Sequence, residues 1–187
     1  MILLDSKVLW RLHHYWDGKR GRSPVLAKHE IDPVDLRDIL PHLFMIEANG
    51  APPRFRIRLV GTAVARLVGR DSTGRYVDEV VGIEKHQSAI TPYLAVVTEG
   101  RPIAKRGPLV WVDSRNWIET EVLLLPVTRS GTAVDFIFGG TVEMGRRARL
   151  QPIDASRSVE YDQITWGPDF AFTPNAVPRQ TAMREAV

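Results

Sequence analysis

His13, His14 and Asp17 stand together near the start of the chain. His13 and Asp17 have i, i+4 spacing, so on a helix they share a face and could supply two metal ligands. No third ligand is evident, the chain has no cysteine, and His29 and His42 are isolated in sequence. A solvated helix face explains the cluster more simply. Arg54, Arg56 and Arg58 alternate along one strand face, a row that can attract an anionic partner or a nucleotide. The same row suits the wet face of a sheet, paired across strands with Glu47, Glu119 or Glu121. His86 falls on the apolar stripe of a helix with Ile90, Tyr93 and Val97. There it is either a core histidine bonded to backbone or a ligand. Gly61, Gly69 and Gly74 are too loosely spaced for a phosphate loop, and no serine sits in a GxSxG elbow. With no thiol and no acid–base pair in view, a non-enzymatic protein is expected. A small isomerase or hydrolase would need His86 or an inward carboxylate inside a cavity.

The elements that position these residues are readable from periodicity. Residues 5–17 form an amphipathic helix with Val8, Leu9, Leu12, Tyr15 and Trp16 on one stripe. Asp5 or Ser6 caps its start, and Gly18 can end it. Trp10 lies on the polar side with His14, which suggests a second contact surface or a cover from the chain's own tail. Asp32 and Pro33 open a short helix whose buried side is Leu36, Ile39 and Leu40, and Pro41 stops it. Residues 42–48 and 54–60 form a hairpin about Asn49-Gly50. Phe55, Ile57 and Leu59 alternate with the three arginines on the second strand. Gly61 breaks that strand and Thr62 caps a helix over 63–68. A longer helix runs from Ile83 to Thr98, interrupted at Pro92. Strands are expected at 102–112, 117–126 and 133–142, the last with Val134, Phe136 and Phe138 on one face.

At 187 residues the chain fits one domain with appended segments. No apolar run approaches the ~20 residues that span a bilayer, and the start does not read as a signal peptide. A cytoplasmic protein is expected. The net charge is only +3. Its basic clusters, Lys19, Arg20, Arg22 and Lys28, then Arg146, Arg147 and Arg149, are short. Nucleic-acid binding is not expected, and no membrane partner is either.

The element order helix, strand, strand, short helices, longer helix, three strands resembles a PAS domain. At residue level the chain resembles the bacterial PAS_5 family, formerly a domain of unknown function. The residues that carry the likeness are Asp32-Pro33, Leu40-Pro41-His42-Leu43-Phe44, Phe55 through Thr62, and Gly69-Arg70-Asp71-Ser72-Thr73-Gly74. Tyr15-Trp16, Glu99-Gly100-Arg101-Pro102 and Leu123-Leu124-Leu125-Pro126 add to it. The resemblance covers roughly residues 8–143.

It implies an α+β fold: a five-stranded antiparallel sheet with short helices over one face, plus the N-terminal amphipathic helix. The expected organisation is a helix and loop over 1–30, a PAS-like domain over 31–145, and a tail over 146–187 docking through Trp166, Phe170 and Phe172. The implied role is sensory or regulatory, in bacterial signal transduction. The candidate pocket lies between Phe55, Ile57, Leu59, Phe136 and Phe138 on the sheet and His86, Ile90, Tyr93 and Val97 on the long helix. Some relatives bind haem through a histidine on that helix, so the likeness makes His86 a haem-ligand candidate. Cysteine-dependent flavin photochemistry is excluded, and non-covalent flavin stays open. A flanking helix often builds a dimer in such proteins. A homodimer through Leu9, Trp10, Leu12, Trp16 and Trp117 is therefore plausible, as is an unknown signalling partner. The alternative is a ligand-free adaptor.

Overall fold

The computed structural model describes residues 4–81, 83–109, 115 and 117–144, with the side chains of 83–86 and 88 excluded. The expected tail at 146–187, with its three aromatics and the Arg146–Arg149 cluster, lies outside the described residues. So does the far end of the strand expected to reach Val112.

Helix α1 (Lys7–Arg20) is capped by Ser6, whose side chain accepts from the amides of Val8 and Leu9. It runs through Gly18 and ends at Gly21, one short turn beyond the expected stop. The two-residue strand β1 (Leu26–Ala27) follows. Asp32 accepts from Val34 N at 2.9 Å and caps a 3₁₀ turn, Pro33–Leu36. Leu40–His42 forms another such turn with Pro41 inside it, so no continuous helix forms.

Strands β2 (Leu43–Asn49) and β3 (Arg54–Val60) make the hairpin. Then come α2 (Thr62–Val68), α3 (Val77–Val80) and α4 (Ile83–Glu99). Gly61, not Thr62, occupies the N-cap of α2. A Cβ at Gly61 would lie 2.4 Å from the Leu40 and Pro41 carbonyl oxygens, so only glycine fits there. Strands β4 (Ile103–Pro108), β5 (Glu119–Thr128) and β6 (Phe136–Glu143) complete the chain's described part.

The sheet is six-stranded among the described residues, with the order β1-β5-β6-β2-β3 and β4 also on β5. The five longer strands pair antiparallel, as expected. The sixth, β1, pairs parallel with Val127 and Thr128 and makes the sheet mixed. A two-residue strand carries no periodicity to read.

Each face of the sheet has its own core. On one, α1 lays Leu9, Leu12, Tyr15 and Trp16 over Leu123, Leu125, Val127, Phe136 and Phe138. On the other, Val77, Val80, Ala89, Tyr93 and Val96 from the helices cover Phe44, Ile46, Phe55, Ile57, Leu124 and Ile137. Gly139 and Gly140 let the layers close. A Cβ at Gly139 would lie 2.2 Å from the Phe44 ring, and one at Gly140 would lie 2.8 Å from Leu9 Cδ2. Successive residues of a strand face opposite ways, so this pair admits a close neighbour on each side.

Candidate functional site

Between the sheet and the short helices the second core leaves a cavity. Phe44 and Ile46 of β2, Ile57 and Val60 of β3, and Val122 and Leu124 of β5 form its floor. Val64 and Val68 of α2, Val80 of α3, and Pro92 and Tyr93 of α4 form its wall. Its free space is about 840 Å³ counting the open mouth, and about 70 Å³ of that admits the centre of a water-sized sphere. One buried water needs about 10–15 Å³ on the latter measure, so the interior suits a ligand of roughly five water-sized groups.

Five polar side chains besides Tyr93 join this apolar lining: Arg70, Ser72, Lys105, Thr120 and Thr141. Arg70 donates to the Val80 carbonyl. Thr120 Oγ1 donates to the Gly107 carbonyl at 3.1 Å. Ser72 is 4% exposed, and its Oγ has no hydrogen-bond partner. Lys105 keeps some accessible surface but is packed round by protein, and burial pushes its pKa below the ordinary lysine value. The surface that Lys105 shows faces the narrow cavity and is poorly solvated. Burial also pushes the Tyr93 phenol up. The Tyr93 ring leans against Phe55 at 5.5 Å between centroids.

The structure brings only part of the expected pocket together. Ile57 and Tyr93 line the cavity. Phe55 is buried beside it under Tyr93, and Ile90 and Val97 pack at the edge of the same core. The side chain of His86 lies outside the described residues. Leu59 is corrected: it is 41% exposed. The β2–β3 register skips Arg58, pairing Met45 with Leu59 and Ile46 with Ile57 across a bulge. One extra residue flips the strand's faces, so Val60 turns in where Leu59 was expected. Phe136 and Phe138 are corrected too. They lie on the opposite face, under α1, and Thr141 is the residue of β6 that lines the cavity.

The expected interface also changes. Leu9, Leu12 and Trp16 are at most 2% exposed within the chain's own core, and Trp16 Nε1 donates to the Pro126 carbonyl at 2.9 Å. A dimer built on that stripe would need α1 to leave the sheet. Trp10 is half-buried, donates from Nε1 to the Leu4 carbonyl at 2.8 Å, and stacks on His14. Of the five candidates only Trp117, 68% exposed, presents a broad surface.

The arginine row is tied down locally. Arg54 bridges Asp78 and Glu79 and covers the Tyr76 ring, Arg56 donates to the Gly74 carbonyl, and Arg58 lies 3.7 Å from Glu47. Of the partners expected for the row, Glu47 alone serves. Asp17 pairs with Arg20. Among the described residues no group of three or more histidine, aspartate or glutamate side chains is placed to hold a metal. No described helix is long and apolar enough to cross a membrane.

Sequence reading missed Lys105, Ser72, Thr120 and Thr141. Lys105 and Arg106 are adjacent cations on β4, and nothing in the sequence tells which faces in. Ser72 sits in the polar turn Asp71–Gly74, whose composition reads as exposed.

A sheet with a helix-walled cavity on one face and an N-terminal helix on the other is the architecture of a PAS domain, a sensory and regulatory module. The model of the PAS_5 family, described as a PAS domain, matches residues 4–142, and the chain belongs to that family. A search of curated proteins returned no match. Among solved structures the chain is similar to the LOV protein of Rhodobacter sphaeroides. The identity is 15% and the TM-score 0.43, covering 78% of this chain and 72% of that one. It is also similar to the RsLOV d2 variant, at 17% identity and TM-score 0.41, covering 76% and 70%.

The fold family raises haem and flavin as cofactors. A porphyrin or a tricyclic flavin is several times larger than the roughly five water-sized groups that the interior admits. Either group would have to extend into the open mouth of the cavity.

Proposed function

We propose that this protein is a cytoplasmic PAS sensor, regulatory and not catalytic, that binds a compact small molecule in the cavity and reports its occupancy to a partner protein. One observation carries the reading: an apolar cavity is lined by Lys105, a cation with no partner among the described residues. A buried polar group without a partner is a cost to folding, and such groups concentrate where a ligand supplies what the fold does not. An apolar pocket with a few convergent polar groups is the usual form of a small-molecule site.

Native mass spectrometry of the purified protein, with an absorption spectrum on the same sample, tests this. The expected result is one retained small molecule per chain, colourless, released on unfolding and absent from Val122→Phe, which fills the floor of the cavity. The Val122→Phe protein should melt no lower than the ligand-free wild type, since it fills a void. A ligand-free wild-type protein whose melting responds to no small molecule would overturn the reading in favour of an adaptor.

A further inference from the structure

The cavity reading deepens into a ligand class, which rests on it. Two of the lining side chains are cations, Arg70 and Lys105, and among the described residues no carboxylate lines the cavity. The Arg70 guanidinium is bonded to the Val80 carbonyl. Lys105 has no hydrogen-bond or ion-pair partner among the described residues. It stands opposite Val122 in the β4–β5 register, on the floor of the cavity. The remaining surface is aliphatic and aromatic.

We propose that the cavity binds a compact monocarboxylic acid, its carboxylate on the Lys105 ammonium and its apolar body against Phe44, Ile57, Val64 and Val122. An ammonium in an apolar site is unfavourable without a counter-charge, and a ligand carboxylate supplies one through a charge-assisted hydrogen bond. Burial holds down the pKa of Lys105, the mark of a cation whose charge the protein leaves uncompensated. Arg70 is held by the Val80 carbonyl, which leaves Lys105 as the described lining cation without a partner and one charge for a monocarboxylate to balance. The limited room favours a body of the size of pentanoate or benzoate.

Isothermal titration of the full chain with sodium pentanoate and sodium benzoate, against pentanamide and benzamide, tests the assignment. Each amide keeps the shape and removes the charge. The acids are expected to bind at least about tenfold more tightly than their amides, as for hydrogen bonds to a charged group. Lys105→Met is expected to lose that preference while still binding the amides. Should Lys105→Met not fold, Lys105→Gln makes the same comparison. Equal binding of acids and amides would overturn the carboxylate assignment and leave the small-molecule site standing. So would a retained ligand that native mass spectrometry identifies as a neutral or cationic compound. Binding of no probe, by a protein that also retains nothing, would overturn both.

Discussion

His13 contributes a charge state more than a ligand. It lies among the rings of Trp10, His14 and Trp16, with centroids about 6 Å away. Burial lowers its pKa from the ordinary 6.5 to about 4, Asp17 works the other way, and His14 and Arg20 add to the lowering. The sign of the consequence follows. Below pH 6.5 the unfolded chain takes up a proton at His13 that the folded chain refuses until about pH 4. The stability tied to neutral His13 is therefore present above 6.5 and lost as the pH falls from 6.5 to 4. Urea midpoints measured across that window should fall for the wild type and fall less steeply for His13→Leu. Identical slopes would sink the assignment. The i, i+4 pair of His13 and Asp17 was visible in the sequence, but its environment was not, because burial of one helix side depends on what the sheet brings against it. Ser72 teaches the same lesson in reverse. A serine between Asp71 and Thr73 reads as solvent-facing, yet the fold buries it in the cavity lining.

Strand faces were harder to read than strands. The hairpin, the long helix and the three later strands fall close to where periodicity puts them. The face of each residue fails at two places, for two causes. On β3 the bulge at Arg58 shifts the alternation by one, and a bulge leaves no mark on a run such as RFRIRLV. On β6 the run Phe136-Ile137-Phe138 is apolar on both sides because both faces of the sheet are covered, so alternation cannot choose between them. The glycine pair that follows is the better signal. Gly139→Ala would press a methyl into the Phe44 ring, and Gly140→Ala would press one between Leu9 and Leu12. Both Leu9 and Leu12 are 0% exposed and have nowhere to retreat. Each substitution is expected to cost about 1–3 kcal/mol, the range for overpacking a filled core, read by urea denaturation. The two should separate in binding. Phe44 lines the cavity, so Gly139→Ala weakens cavity ligands while Gly140→Ala leaves them unchanged. Equal effects on binding would mean that the two faces of the sheet are not mechanically distinct.

Across the whole molecule, the two faces meet through single strands. On β4, Lys105 faces the cavity and its neighbour Arg106 faces the other side. On β5, Val122 faces the cavity and Glu121 faces the other side. Arg106 donates from Nε and Nη2 to Glu121 Oε1 at 2.9 and 2.7 Å. The Glu121 carboxylate, 1% exposed, also accepts from the backbone amides of Asp5 and Ser6, each at 2.9 Å, where α1 begins. A ligand that pairs with Lys105 therefore pulls on a strand whose next residue helps anchor the first helix. Such a ligand transmits a signal only if it binds the anchored and loosened states with different affinity. Hydrogen exchange of the amides from Asp5 to Leu9, with and without the cavity ligand, measures that difference. Occupancy is expected to change exchange there severalfold while the β2–β3 hairpin stays constant. Glu121→Gln, which weakens the hold on both amides and on Arg106, should shrink the ligand's effect on α1. Because the two are linked, it should also shift ligand affinity. Unchanged exchange at the start of α1 in the bound protein would place the output elsewhere, with the exposed Trp117 as the next surface to probe.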